Sequence, residues 1–185
     1  MNRCLTFFFA ISFPVIAQDW FIQNSKSSIT FEVEAKTQTV QGTFKNYRLS
    51  SFQYNGRAES LKGSISIETG SVYTRNTRRD NHLRQDDFFY TEKFPLATVT
   101  VLEVTPGENG PVARISLSIR DKKKEYLVEK LQLETALKSV RARGKFLVNR
   151  MDFDLKGNLL ENQIMDDEVL VGFDLVLERL QIGRA

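Results

Sequence analysis

TGSVYTRNTRRDNHLRQDDFFYTEKFP, residues 69–95, is the one stretch of this 185-residue chain where a regular alternation of apolar and polar side chains breaks. Its centre, RRDNHLRQDDFF, packs charge, the single histidine and an aromatic pair together. Asn76, Thr77, Asp80 and Asn81 are cap and turn formers, and Leu83 stands ahead of Phe88 and Phe89. These residues predict a short helical segment near residues 78–89. On the N-terminal side, Leu61, Gly63, Ile65 and Ile67 alternate with Lys62, Ser64, Ser66 and Glu68, the pattern of a half-buried strand. On the other side Pro95 opens a run in which Ala97, Val99 and Val101 alternate with threonines.

Working outward, the same two-residue period continues. Ile29, Phe31, Val33 and Ala35 alternate with Thr30, Glu32 and Glu34, and Val40, Gly42 and Phe44 follow. Ile115, Leu117 and Ile119 alternate with serines; Val140, Ala142, Gly144, Phe146 and Val148 form another set. The cleanest strand is the last, with Val169, Val171, Phe173, Leu175 and Leu177 on one face. Leu127, Leu131 and Leu133 give a partial pattern, read as one strand over Tyr126–Leu133. Asn55-Gly56 and Pro106–Gly110 mark reversals. About eight evenly spaced strands without a linker or repeat predict one all-β domain, either a sandwich or a barrel.

Residues 1–17 are expected to stand apart as a secretory signal. Arg3 precedes an apolar run from Leu5 to Ile16, and Val15-Ile16-Ala17 forms a small-residue cleavage site. The folded domain is then 18–185, without cysteine, since the only one is Cys4. A disulfide-free domain of that length has enough chain for a single core. Without Arg3 it carries 25 basic and 23 acidic residues, too even a balance to point to nucleic acid. The densest basic run, Arg120–Lys124, is expected at a solvated hairpin tip, with contact to anionic lipid head groups as the alternative.

Catalytic chemistry is poorly supplied. A lone histidine, His82, leaves one candidate base for any nucleophile and too few ligands for a His/Cys zinc site. Asp86-Asp87 and Asp166–Glu168 are adjacent carboxylates of the kind found on solvated turns, and no phosphate-cradling glycine loop precedes a helix. A binder is expected, with no catalytic residues, metal or cofactor.

In the 69–95 stretch, Ser71, Thr74, Asn76, Arg79, Asp80, His82, Leu83, Asp87, Phe88, Phe89 and Pro95 resemble, in order and spacing, the signature of the YceI-like family. That family comprises periplasmic, lipocalin-like proteins described as polyisoprenoid-binding. Ser27–Phe31, Val40–Phe44, Asn149–Phe153 and Asp166–Leu177 resemble further parts of it, whereas 104–138 does not align by motif. One departure is Asp154, where a glycine is common. The resemblance implies a lipocalin-like antiparallel β-barrel with a long apolar bore. The bore would be lined by the inward set Ile29, Phe31, Val33, Phe44, Ile65, Ile67, Val99, Val101, Ile115, Leu117, Phe146, Val148, Val171, Phe173 and Leu175. Alternation alone is equally compatible with a packed interior.

Two readings of the motif stay open. Asn76, Arg79, Asp80, His82 and Asp87 either form a structural polar network or serve a ligand; Phe88 and Phe89 either pack in the core or close the bore as a lid. The expected function is to carry or sequester a polyisoprenoid, quinone tail or acyl lipid in the periplasm or outside the cell. The alternative is a non-enzymatic interaction module with a packed barrel, binding a protein or membrane partner through basic loops. A hydrolase or isomerase using His82 is a third. Oligomeric state is left open, a dimer included.

Overall fold

A computed structural model of the chain describes residues 20–36, 38–157 and 164–180. The expected signal segment 1–17, with Cys4, lies outside the described residues. Among those described, the alternating stretches become twelve strands. They are β1 (Trp20–Ile22), β2 (Ser28–Ala35), β3 (Gln38–Phe44), β4 (Tyr47–Gln53), β5 (Lys62–Glu68) and β6 (Val72–Tyr73). After helix α1 (Thr77–Leu83) come β7 (Leu96–Thr105), β8 (Val112–Ile119), β9 (Lys122–Val128), β10 (Gln132–Ala136), β11 (Ser139–Asn149) and β12 (Met165–Arg179). The fold is all-β, and among the described residues the one α-helix, Thr77–Leu83, overlaps the first half of the predicted 78–89 segment.

The strands make two antiparallel sheets. One runs β10-β11-β12-β2-β3-β6, with β1 also paired to β12; the other runs β4-β5-β7-β8-β9. The count therefore exceeds the expected eight, and the ladder of hydrogen bonds is not continuous around the barrel. β9 approaches β11 at one seam and β1 approaches β4 at the other, and side chains bridge them. Trp20 meets Phe52 edge-on at 5.0 Å, and the Tyr54 and Thr135 hydroxyls are hydrogen-bonded at 2.9 Å. β1 and β2 share one edge of β12, interrupted by a 3-10 turn at Asn24–Lys26.

One local reading needs correction. Tyr126–Leu133 is not one strand: β9 ends at Val128 and β10 starts at Gln132. Leu127 faces outward, half exposed, while Leu131 is buried in the turn between them. Arg120–Lys124 lies, as expected, at a solvated hairpin, the one joining β8 to β9, with residues 121–124 exposed. The β8–β9 turn is confined to Arg120 and Asp121, Arg120 taking φ 56°. Lys122 and Lys124 are already in β9, where they pair with Asp154 (2.8 Å) and Asp152 (3.4 Å).

Inward residues of both sheets meet in one apolar interior that includes Ile29, Ile67, Ile115, Leu117, Phe146, Val148, Leu175 and Leu177. One end of the barrel is formed by Leu61, Leu131 and the β1–β4 seam. The other is capped by residues 77–94 together with a 3-10 turn at Arg150–Phe153. The cap is stitched by backbone bonds from Lys156 N and Gly157 N to the Asp87 carbonyl, both 3.1 Å. Arg120 donates to the carbonyls of Phe88 (3.2 Å) and Asp154 (3.1 Å), tying both halves of the cap to the β8–β9 turn.

Candidate functional site

The barrel interior holds a cavity of about 220 Å3 that runs from Leu61 and Leu131 at one end to Leu83, Phe88 and Leu155 beneath the cap. Every bore residue expected from the alternation lines it, as do Phe88 and Phe89. The interior is not close-packed: Phe31, Ile65, Val99, Val101, Val171 and Phe173 face inward yet keep solvent-accessible surface. An engineered cavity of about 150 Å3 with Leu/Ile/Phe walls stays dry and admits benzene. By proportion this one takes a chain of about nine carbons. Among the described residues, the polar side chains that line it, Ser64 and Arg150, are already engaged. Ser64 is hydrogen-bonded to Thr100 at 3.1 Å, and the Arg150 guanidinium is held by its surroundings.

The motif divides its labour between the two sides of the cap. Asn76 caps α1, its side-chain oxygen accepting from Arg79 N at 3.1 Å. Buried Asp80 accepts from Thr74 N (2.8 Å) and Thr74 Oγ1 (2.5 Å). Arg79 Nε donates to Thr74 Oγ1 (2.8 Å) and its Nη2 to the Thr74 carbonyl (2.9 Å). Arg79 and Asp80 thus lock the helix to β6 through one threonine. His82 is not part of that network; its Nε2 lies 2.7 Å from Asp87 Oδ2, and its ring stands edge-on to Phe88 at 5.2 Å. None of Asn76, Arg79, Asp80, His82 or Asp87 lines the cavity, whereas Leu83, Phe88 and Phe89 do. Phe89 continues a row of rings, meeting Phe44 at 5.5 Å, which meets Phe31 at 5.7 Å.

Arg150 is the residue whose part was not visible in the sequence. It is 3% exposed. Its guanidinium donates to the carbonyls of Asp166 (3.0 Å), Leu155 (2.9 Å), Lys156 (3.2 Å) and Met165 (3.3 Å), and to the Asp167 carboxylate (2.8 Å). It therefore clamps the end of β11, the 155–156 turn and the start of β12 around the capped end of the cavity. Asn149–Phe153 resembles the family's pattern, but nothing in that stretch shows what the arginine holds; its partners at 155–156 and 165–167 lie further along the chain. Asp154, the departure from the family's glycine, sits at φ 54° and ψ 33°, in the left-handed region where glycine rests without cost. Lys122 (2.8 Å) and Lys156 (3.2 Å) hold its carboxyl below the usual carboxylate range. Leu49, Phe52, Leu131, Leu155 and Met165 also line the cavity without having been foreseen.

No three of the described His, Cys, Asp or Glu residues converge as metal ligands. The profile of the YceI-like domain matches residues 20–177. This chain belongs to that family. It is 41% identical over 66 residues to Protein YceI of Escherichia coli, an alignment covering 35% of this chain and 34% of that one. The chain thus spans about a third of that relative's length. BcnA of Burkholderia cenocepacia superposes with a TM-score of 0.76 at 19% identity, covering 84% of this chain and 98% of BcnA. A polyisoprenoid-binding domain of Saccharophagus degradans, implicated in plant cell wall breakdown, superposes with a TM-score of 0.66 at 18% identity. That match covers 88% of this chain and 99% of the domain. At such identities the likeness is one of fold.

Proposed function

We propose that this YceI-like protein is a non-enzymatic carrier that hides the hydrocarbon chain of a lipid, an isoprenoid or a similar acyl or quinone tail, inside its barrel. The observation that carries the reading is the end-to-end cavity whose walls offer a guest apolar carbon almost throughout. Burying about nine carbons at roughly 0.8 kcal/mol each gives about 7 kcal/mol. That corresponds to a dissociation constant on the order of 10 µM before ordering costs are subtracted. Hydrocarbon burial alone is then enough for binding, and among the described residues the polar side chains of the bore already have partners. The head group of a longer lipid would remain at the mouth. Secretion to the periplasm after loss of residues 1–17 fits such a role, because lipid chains cannot cross an aqueous compartment unaided. His82, the one histidine, lies behind Phe88 and does not line the cavity, so a guest there would not touch it.

The reading is tested by titrating the purified domain with farnesol and with palmitate and following the fluorescence of Trp20, the only tryptophan, at the β1–β4 seam. Saturable binding that survives His82→Gln supports a carrier. A domain that binds neither chain refutes it.

A further inference from the structure

Three phenylalanines that line the cavity stand directly opposite glycines on the neighbouring strand. Phe31 faces Gly42 across β2–β3, Phe52 faces Gly63 across β4–β5, and Phe173 faces Gly144 across β11–β12. At Gly42 and Gly144 the ring lies over the place where the glycine's side chain would be, whereas at Gly63 the nearest atom is the Ser51 carbonyl oxygen, at 3.2 Å. A Cβ on Gly42 would stand 2.2 Å from Phe31 Cζ and within 2.9 Å of both Cε atoms. One on Gly144 would stand 2.7 Å from Phe173 Cζ and 2.7 Å from Val128 Cγ1. Gly63 is looser, with Phe52 Cδ2 at 3.4 Å. Glycine inside a strand weakens it, so its use here asks for a reason. Covering a strand glycine with a cross-strand aromatic can help to pin register. These rings, however, border the cavity, and where each one lies decides how much of the bore is empty.

We propose that Gly42 and Gly144 are calibre residues: by letting the rings of Phe31 and Phe173 lie flat in the wall, they set the length of hydrocarbon chain that the bore accepts. The inference rests on the carrier reading and deepens it. With a methyl group at position 42 the Phe31 ring must leave the wall. Phe44 already occupies one side at 5.7 Å, and the open direction is the bore. The displaced ring then takes roughly the room of one isoprene unit. Removing the ring returns that room. At Gly144 the crowding comes from two sides, since Val128 of β9 approaches the same spot. A substitution there strains the seam as well as the bore, so Gly42 is the cleaner position to probe.

The test is native mass spectrometry and affinity titration of wild type, Gly42→Ala, Phe31→Ala and the double variant with geraniol, farnesol and geranylgeraniol. Gly42→Ala is expected to weaken the longest chain that wild type holds by at least about tenfold, equivalent to about two methylenes denied burial. Phe31→Ala is expected to extend the tolerated length by one isoprene unit. In the double variant the added methyl has no ring to displace, so it should behave as Phe31→Ala does. An identical length cut-off in wild type and Phe31→Ala overturns the proposal, and this comparison decides it even if Gly42→Ala does not fold. A wild type that holds no chain of any length defeats the carrier reading, and the calibre proposal falls with it.

Discussion

Replacing Arg150 with methionine keeps most of the side chain's length and apolar stem while removing every donor. Among the described residues the guanidinium serves four backbone carbonyls and the Asp167 carboxylate. Leu155 is buried, whereas Lys156, Asp166 and Asp167 are exposed, so part of the stranded group regains water. Taking two of the four carbonyls as unable to do so, at about 1–3 kcal/mol each, gives a loss of about 2–6 kcal/mol. The range brackets the roughly 3–5 kcal/mol typical of breaking a buried charged pair from one side. Against a domain stability of about 5–15 kcal/mol, the variant should remain folded but marginal. The assay is urea unfolding followed by Trp20 fluorescence. Trp20 sits on Phe52, far from the clamp, so its transition reports whether the barrel unfolds as one unit. A midpoint shift equivalent to less than about 1 kcal/mol would refute the clamp, because an exchange with water would then replace all the bonds.

Three further outcomes are expected. Asp154→Val places a β-branched side chain at φ 54° and removes the carboxylate that Lys122 and Lys156 hold; a loss of about 1–2 kcal/mol is expected by urea unfolding, whereas Asp154→Gly should lose less. Tyr126 is pushed well above its ordinary pKa by burial first, then by the charge of Asp152, to which it donates at 3.2 Å. The folded state therefore favours the neutral phenol. That stability is fully present below the unfolded value near pH 10 and is lost as pH rises from there toward the folded value, and Tyr126→Phe should flatten the alkaline decline in melting temperature. Phe89→Ala should weaken chain binding more than it lowers stability, because the half-buried ring borders the cavity; a core-sized loss of about 3–5 kcal/mol with unchanged binding would refute its role as lid.

How far the sequence could be read followed from how local each feature is. The inward faces of β2, β5, β7, β8, β11 and β12 were legible because each keeps a two-residue period over most of its length, β7 up to its shift after Val101 and β12 from Val169 on. β4 was missed because its register shifts between Leu49 and Ser51, so that Leu49 and Phe52, three residues apart, both face the bore. The leucines around β9 and β10 misled because Leu127 faces solvent while Leu131 belongs to a turn. The motif announced a helix, yet its split into an outer polar lock and an inner apolar cap depends on where β6 returns beside β3. Open bore and packed core share one alternation pattern. The difference lies in the glycines opposite phenylalanines, a pairing visible only once strand register is known. Arg150 likewise acquires meaning from carbonyls that lie up to sixteen residues further along the chain.

The most direct test of the carrier reading is native mass spectrometry of the protein purified from its source, before and after organic extraction. The account predicts a bound species of stoichiometric amount that extraction releases as an isoprenoid or another long-chain lipid. A protein that is isolated at its bare polypeptide mass, and keeps that mass after incubation with prenols, quinones and fatty acids, would contradict it.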